Sequence, residues 1–290
     1  MTGSKLFKPL RLPNGTVIPN RIAKAAMEEN LANEDHAPGE ALVKLYRRWA
    51  EGGAGLIITG NVMVDRHALT GPAGVVLEDD RNLVNFRLWA DACRSRGAQA
   101  WMQINHPGRQ LLASMGQPAG GPSAVAVDIP GLSKAFVPPR ALNEQEIEEL
   151  IERYTQAAVL AERAGFTGVE IHAAHGYLFS QFLSPLTNQR NDRWGGSLEN
   201  RAQILLQTID AIRQRVAPIF CVAVKSIPRT FSEAVSMPRM RLEWWKCSTP
   251  RRSIWSSYRV VATKARRCRG RPAMAVAWLE KPTFSSSQRE

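Results

Sequence analysis

The sequence predicts an α/β fold on a largely parallel sheet, and three observations carry that prediction. Short apolar strands are followed by amphipathic helical stretches in five successive cycles, the fifth cut off after its strand, as a parallel sheet with helical crossovers requires. Polar residues cluster just beyond strand ends, at Asn61, Gln103, His172 and Lys225, which places a site at the carboxyl-terminal face of the sheet. No Gly-x-Gly-x-x-Gly opens a helix, which disfavours a dinucleotide-binding doubly wound sheet and leaves a (β/α)8 barrel as the preferred architecture. Such a barrel needs eight strands and typically about 250 residues, so the five units read here make it incomplete.

The elements follow in order. Pro13-Asn14-Gly15 is a turn signal between short apolar pieces over residues 5–19 and predicts a hairpin. Arg21 to Met27 reads as a first strand of small residues. Ala41 to Glu51 puts Leu42, Leu45, Tyr46 and Trp49 on one helical face, Gly52-Gly53 closes it, and the apolar run from Gly55 to Thr59 reads as a strand buried on both sides. Asp79 to Ser95 is helical, Gly97 breaks it, and Gln99 to Ile104 forms the next strand. Residues 107–140, rich in Gly and Pro, read as a long loop of the kind that covers active sites. Asn143 and Glu146 make a capping-box start for a helix whose Ile147, Leu150, Ile151, Tyr154, Ala158 and Ala161 keep a 3.6-residue period. Ser197 caps the next helix, and Pro218 introduces a fifth strand from Ile219 to Val224.

Composition narrows the function classes. A chain of 290 residues with 44% apolar content can bury a sizeable core. No apolar run reaches the ~18 residues of a membrane span, and Met1-Thr-Gly-Ser-Lys-Leu-Phe lacks a signal-peptide core, so a cytoplasmic protein without membrane contact is expected. Cys93, Cys221, Cys247 and Cys268 stand far apart with no Cys-x-x-Cys and read as free thiols. The net charge of +12 is concentrated in the tail: residues 226–290 hold 14 Lys or Arg against 4 Asp or Glu, a net +10, which leaves +2 on residues 1–225. The basicity therefore says nothing about partners of the body.

The densest chemistry lies in residues 167–177, where Val169 and Ile171 alternate as in a strand that ends in His172-Ala-Ala-His-Gly-Tyr177. His172, His175 and Tyr177 can converge on one small volume. Two imidazoles can hold and polarise a carbonyl oxygen, and a phenol with an ordinary pKa near ~10 stays protonated at neutral pH and can donate. That suggests acid catalysis on a carbonyl compound. A His-x-x-His pair is also a metal spacing, but no third ligand stands at a recognisable distance, and no metal is expected. A plain core role, with each polar group hydrogen-bonded, is the remaining alternative.

With these positions assembled, the sequence resembles the old yellow enzyme family of flavin-dependent ene-reductases, especially the bacterial NADH:flavin oxidoreductases. The resemblance runs from about Leu6 to Lys225. It rests on Leu12-Pro-Asn-Gly-Thr-Val-Ile-Pro-Asn-Arg21, Trp49-Ala-Glu-Gly-Gly-Ala-Gly-Leu-Ile-Ile-Thr59, Gln103-Ile-Asn-His-Pro-Gly-Arg109, Ile171-His-Ala-Ala-His-Gly-Tyr177, Leu183-Ser-Pro-Leu-Thr-Asn-Gln-Arg190 and Trp194-Gly-Gly-Ser-Leu-Glu-Asn-Arg201. It implies FMN at the top of the barrel, reduced by NADH or NADPH and then reducing the alkene of an α,β-unsaturated carbonyl compound. By the same resemblance Ala25, Ala26, Met27 and Asn61 would line the ring and Gln103 would meet its pyrimidine edge. Lys225 would place positive charge near N1, His172 and His175 would grip the substrate oxygen, and Tyr177 would protonate the substrate. Arg190, Asp192 and Trp194-Gly-Gly would brace the loop after the active strand.

Two departures stand out. Glu28 occupies a position where many relatives have Thr or Cys, and a carboxylate there disfavours the reduced flavin anion. After Lys225 the resemblance stops, although the family continues for three more strands that supply its phosphate cradle. Residues 226–290 hold 11 Arg, 3 Lys and half of the eight Trp, with no strand–helix alternation, and read as a disordered or out-of-frame tail. The expectation is an open barrel with two free edges that holds FMN poorly. An inactive remnant, and a protein that binds partners through its basic tail, are the alternatives. An oligomer is compatible with the sequence; nucleic-acid binding has no motif to support it.

Overall fold

The structure is a computed structural model that describes residues 4–226 and, in the tail, the strands Arg259–Ala262 and Val276–Glu280. The turn at Pro13-Asn14-Gly15 forms as expected, with Gly15 at φ +93°, and joins β1 (Leu10–Arg11) to β2 (Val17–Ile18) in antiparallel register. Five strands then lie parallel in chain order: β3 (Ile22–Lys24), β4 (Leu56–Met63), β6 (Gln99–Asn105), β9 (Gly168–His172) and β10 (Cys221–Lys225). Between β4 and β6 a short strand, β5 (Val75–Val76), adds to the end of β4. The connecting helices are α1 (Glu40–Glu51), α2 (Leu83–Arg94), α3 (Glu144–Arg163) and α5 (Leu198–Arg215). This is the parallel sheet and helical layer of an incomplete (β/α)8 barrel.

Because successive strand residues face opposite ways, the sheet sorts its side chains into two cores. Ile57, Ala100, Met102, Ile104, Val169, Ile171 and Val222 face the helices and pack on Tyr46, Trp89, Tyr154 and Ile209. Burying an aliphatic or phenyl side chain to this degree contributes roughly 1.5–3 kcal/mol, which is why the helices dock where their apolar stripes lie. Ala23, Leu56, Ile58, Trp101 and Cys221 face the lumen and meet Leu10, Leu12 and Ile18 of the hairpin. The hairpin thus plugs the amino-terminal end of the barrel. Asn14 Nδ2 and Thr16 Oγ1 fasten it by donating to the Ile219 carbonyl at 2.7 and 3.1 Å.

The helix starts are those the sequence predicts. Asn143 and Glu146 form a reciprocal capping box, and Ser197 accepts from the Asn200 N–H at 3.2 Å. The strand bounds differ. The first strand is three residues long rather than reaching Met27, and β4 continues past Thr59 to Met63 through a bulge between Ile58 and Asn61. Asn61, Gln103, His172 and Lys225 are therefore strand residues, His172 and Lys225 the last of theirs, rather than residues beyond strand ends. The long loop at 107–140 carries a two-residue parallel pair, β7 (Gly120–Gly121) with β8 (Arg140–Ala141). A short helix, α4 (Leu178–Leu183), follows Tyr177 and buries Leu178, Phe179 and Phe182.

The β3 edge is not free, contrary to expectation. The tail strand β12 (Val276–Glu280) pairs antiparallel with it, Val276 opposite Lys24, and β11 (Arg259–Ala262) pairs antiparallel with β12. Sheet edges gain by hydrogen bonding to any extended chain, which is the physical reason such a strand adds there. The rest of the tail, with Cys247 and Cys268, lies outside the described residues; Cys93 and Cys221 are free and buried. Among the described residues no helix is long and apolar enough to cross a membrane.

Candidate functional site

The carboxyl-terminal ends of the five parallel strands place the residues singled out in the sequence around one mouth. His172 is the last residue of β9 and stands in register with Lys225 at the end of β10. His175 takes φ +57° and Gly176 φ +74°, and these two left-handed residues turn the chain back toward the strand end. As a result the His172 ring lies 5.0 Å from that of His175 and 4.8 Å from that of Tyr177, both edge-on. The trio converges as its spacing suggests.

Its electrostatics follow from burial and from Lys225. Burial, then the Lys225 charge and then His175, hold the His172 imidazole well below its ordinary pKa; burial and Lys225 lower His175 as well. Both rings are therefore neutral at pH 7. His172 Nδ1 accepts from the Ala174 N–H at 3.2 Å, so the ring proton of the neutral form sits on Nε2 and is available to an oxygen acceptor. Burial, followed by the charge of Glu28, raises the Tyr177 phenol, which stays a donor over the whole neutral range.

The second half of the site is a row across the lumen. Asn61 is paired in register with Gln103, and Gln103 with Glu170. Gln103 Nε2 donates to Glu170 Oε1 at 2.6 Å in a buried contact. Burial raises the Glu170 carboxyl while Lys225 and the Gln103 amide oppose that rise. Glu170 was not among the sequence candidates. Its signal was parity, since it lies two residues before His172 on the same strand face. Asn105, two residues beyond Gln103, is buried with neither amide atom partnered among the described residues.

Ala25, Ala26 and Met27 leave the end of β3 half-buried, Ala26 packed against the lumenal core and Met27 against the outer one. Their path is fixed by Gly60, where a Cβ would stand 2.0 Å from the Met27 carbonyl oxygen. It is fixed also by a buried cation behind them. Lys24 Nζ donates to Glu29 at 3.0 Å, to the Tyr46 hydroxyl at 3.0 Å and to the Ile58 carbonyl at 3.2 Å. Glu28 is exposed and accepts from the Thr70 hydroxyl, which Asn61 also approaches at 3.5 Å. Arg190 binds Asp192 and the Pro122 and Leu142 carbonyls, and Asp192 accepts from the Trp194 N–H at 3.0 Å, as a brace requires; Asn188, not singled out for that role, donates to the Phe182 and Trp194 carbonyls at 2.8 Å.

These parts suit a flat heteroaromatic group with an imide edge and an electron-rich reduced form. Two small alanines leave room beside β3, Gln103 and the unpartnered Asn105 offer amides, and Lys225 makes no side-chain hydrogen bond or ion pair with another described residue. The fit covers the ring and not a phosphate, because the described barrel ends at its fifth strand. Among the described residues no group of three His, Cys, Asp or Glu is placed to hold a metal ion.

Fold and site together define an incomplete (β/α)8 barrel with two imidazoles and a phenol gathered at its strand ends. Residues 5–234 match the family model described as NADH:flavin oxidoreductase / NADH oxidase, and the chain belongs to that family, the old yellow enzyme family of the resemblance above. It is 39% identical over 243 residues to the NADH-dependent flavin oxidoreductase iliE of Hypocrea jecorina (strain QM6a), covering 78% of this chain and 61% of the relative. Among solved structures it is similar to 2-naphthoyl-CoA reductase in complex with 2-naphthoyl-CoA, with a TM-score of 0.80, 27% identity, and coverage of 86% of this chain and 39% of that one. It is also similar to morphinone reductase in complex with tetrahydroNAD, with a TM-score of 0.76, 29% identity, and coverage of 87% and 72%. The chain thus spans about three-fifths of the first curated relative it matches.

Proposed function

We propose that this chain carries the ring-binding and proton-donating part of a cytoplasmic FMN-dependent ene-reductase that takes hydride from NADH or NADPH and reduces an α,β-unsaturated carbonyl compound. The single observation that carries the reading is the convergence of the His172, His175 and Tyr177 rings beside Lys225, which stands in register with His172. When bound, FMN supplies reversible hydride acceptance from the nicotinamide and hydride donation to the alkene.

The protein's own residues do the rest. Ala25, Ala26, Met27 and Asn61 would line the ring, and Gln103 would meet its imide edge. Lys225 would favour negative charge on the reduced ring, as a fixed cation held at the end of its strand. Glu28 opposes it from the exposed side, where solvent screening weakens the effect. The Nε2–H of His172 and a ring N–H of His175 donate to the carbonyl oxygen, polarising the enone and stabilising the enolate-like charge that develops there. Tyr177 O–H delivers the proton to the α-carbon, and the raised phenol pKa keeps that proton in place until the carbon becomes basic.

An inactive remnant is the second reading. Its support is that, among the described residues, the parallel set ends at β10. Anaerobic incubation of the purified chain with FMN, NADH and 2-cyclohexenone separates the two. Enone-dependent NADH oxidation that Tyr177→Phe suppresses supports the first, and absence of turnover supports the second.

A further inference from the structure

We propose that Glu170 is a positioning residue that fixes which end of the Gln103 amide faces the mouth. The inference rests on the flavin reading above. Glu170 Oε1 accepts from Gln103 Nε2 at 2.6 Å, which turns the amino end of Gln103 toward Glu170 and leaves its carbonyl oxygen for another partner. That partner must be a donor, and the N3–H of an isoalloxazine, flanked by two carbonyls, is a donor of that kind. The second amide hydrogen of Gln103 remains for one of those flanking oxygens. Without Glu170 both amide orientations would be open, and one of them would present N–H against N–H.

The surroundings are built to keep this contact. Gln103 and Glu170 are 1% and 6% exposed, so water does not compete for either group. They are direct partners in the β6–β9 ladder, so neither can leave without breaking strand register. Trp101 and Gly168, the inward pair one step below, close off the lumen beneath them, because a Cβ at Gly168 would lie 2.8 Å from the Trp101 ring. Burial raises the Glu170 carboxyl and Lys225 opposes that rise, while the contact itself needs only that Glu170 Oε1 accept from Gln103 Nε2. A buried carboxylate here would otherwise be costly, and the body's mechanism gives it no proton to move.

The test is a double-mutant cycle read by flavin fluorescence quenching on the full 290-residue chain, with riboflavin as the probe. Glu170→Gln and Gln103→Ala should each weaken binding about tenfold, and the double variant should lose no more than Gln103→Ala alone. Unfolding midpoints are measured alongside. Glu170→Ala gives a second entry to the cycle, with the same coupling expected. Additive losses in the cycle, or unchanged affinity in folded Glu170→Gln, overturn the proposal while leaving the flavin reading intact. Absence of riboflavin binding by the unsubstituted chain overturns both.

Discussion

His172→Asn isolates one hydrogen bond of the site. Asparagine Oδ1 occupies the place of the imidazole Nδ1 and still accepts from the Ala174 N–H, while the Nε2–H that faces the mouth is removed. Burial, Lys225 and His175 keep the imidazole neutral, so the lost bond to a neutral carbonyl is an uncharged one, worth about 1 kcal/mol or about fivefold in affinity. To a phenolate the same donor faces a full charge, and the loss rises to about 1.5–3 kcal/mol, roughly 10- to 150-fold. The assay is absorbance titration of the flavin-loaded protein with a neutral cyclic ketone and with an acidic phenol, each at pH 8. The expected result is a larger loss for the phenolate than for the ketone. Equal losses, or none, would refute the assignment of Nε2–H as the oxygen ligand.

Three further outcomes follow from the same structure. Tyr177→Phe should slow alkene reduction roughly 10²- to 10⁴-fold while NADH still reduces the flavin at its former rate, as separate stopped-flow half-reactions would show. His106, His172 and His175 all have folded pKa values below their unfolded ones, that of His106 lowered to about 4 by burial, so the unfolded chain binds more protons. Stability is then complete above the unfolded value near ~6.5 and falls as pH drops through the window beneath it, by up to ~1.4 kcal/mol per pH unit for each of the buried His106 and His172 and by less for the solvent-screened His175, read from urea midpoints at pH 7.5, 6 and 5. A flat profile would contradict it. Lys24→Met should cost roughly 3–5 kcal/mol, because it strands the Glu29 carboxylate behind the Ala25–Met27 segment, and adding Glu29→Leu should recover much of the loss.

The sequence disclosed the architecture wherever one residue type had one physical use. Asn143 and Glu146 could serve as a cap in one way, and the Val169–Ile171 alternation could pack only against helices. It disclosed the donor trio because His172, His175 and Tyr177 are close along the chain. Glu170 was hidden for the opposite reason. A glutamate between valine and isoleucine reads as the solvent face of a strand, and only closing the sheet toward a barrel turns that face inward. Lys24 was hidden likewise, its cation buried by Glu29, Tyr46 and Ile58, which come from three separate segments. The bulge at Ile58/Asn61 has no local signature beyond Gly60, whose reason is the Met27 carbonyl thirty-three positions earlier. Helix α4 is six residues long and lacks a side-chain cap, so no periodicity could announce it.

Comparing FMN with riboflavin in equilibrium binding to the purified 290-residue chain tests the central claim most directly. The described residues offer a ring site at the ends of five strands and no phosphate cradle, so both flavins should bind saturably, one per chain, with weak affinities within about threefold of each other, and Lys225→Met should weaken both. Failure of either flavin to bind, or binding that Lys225→Met and Gln103→Ala leave unchanged, would contradict the account.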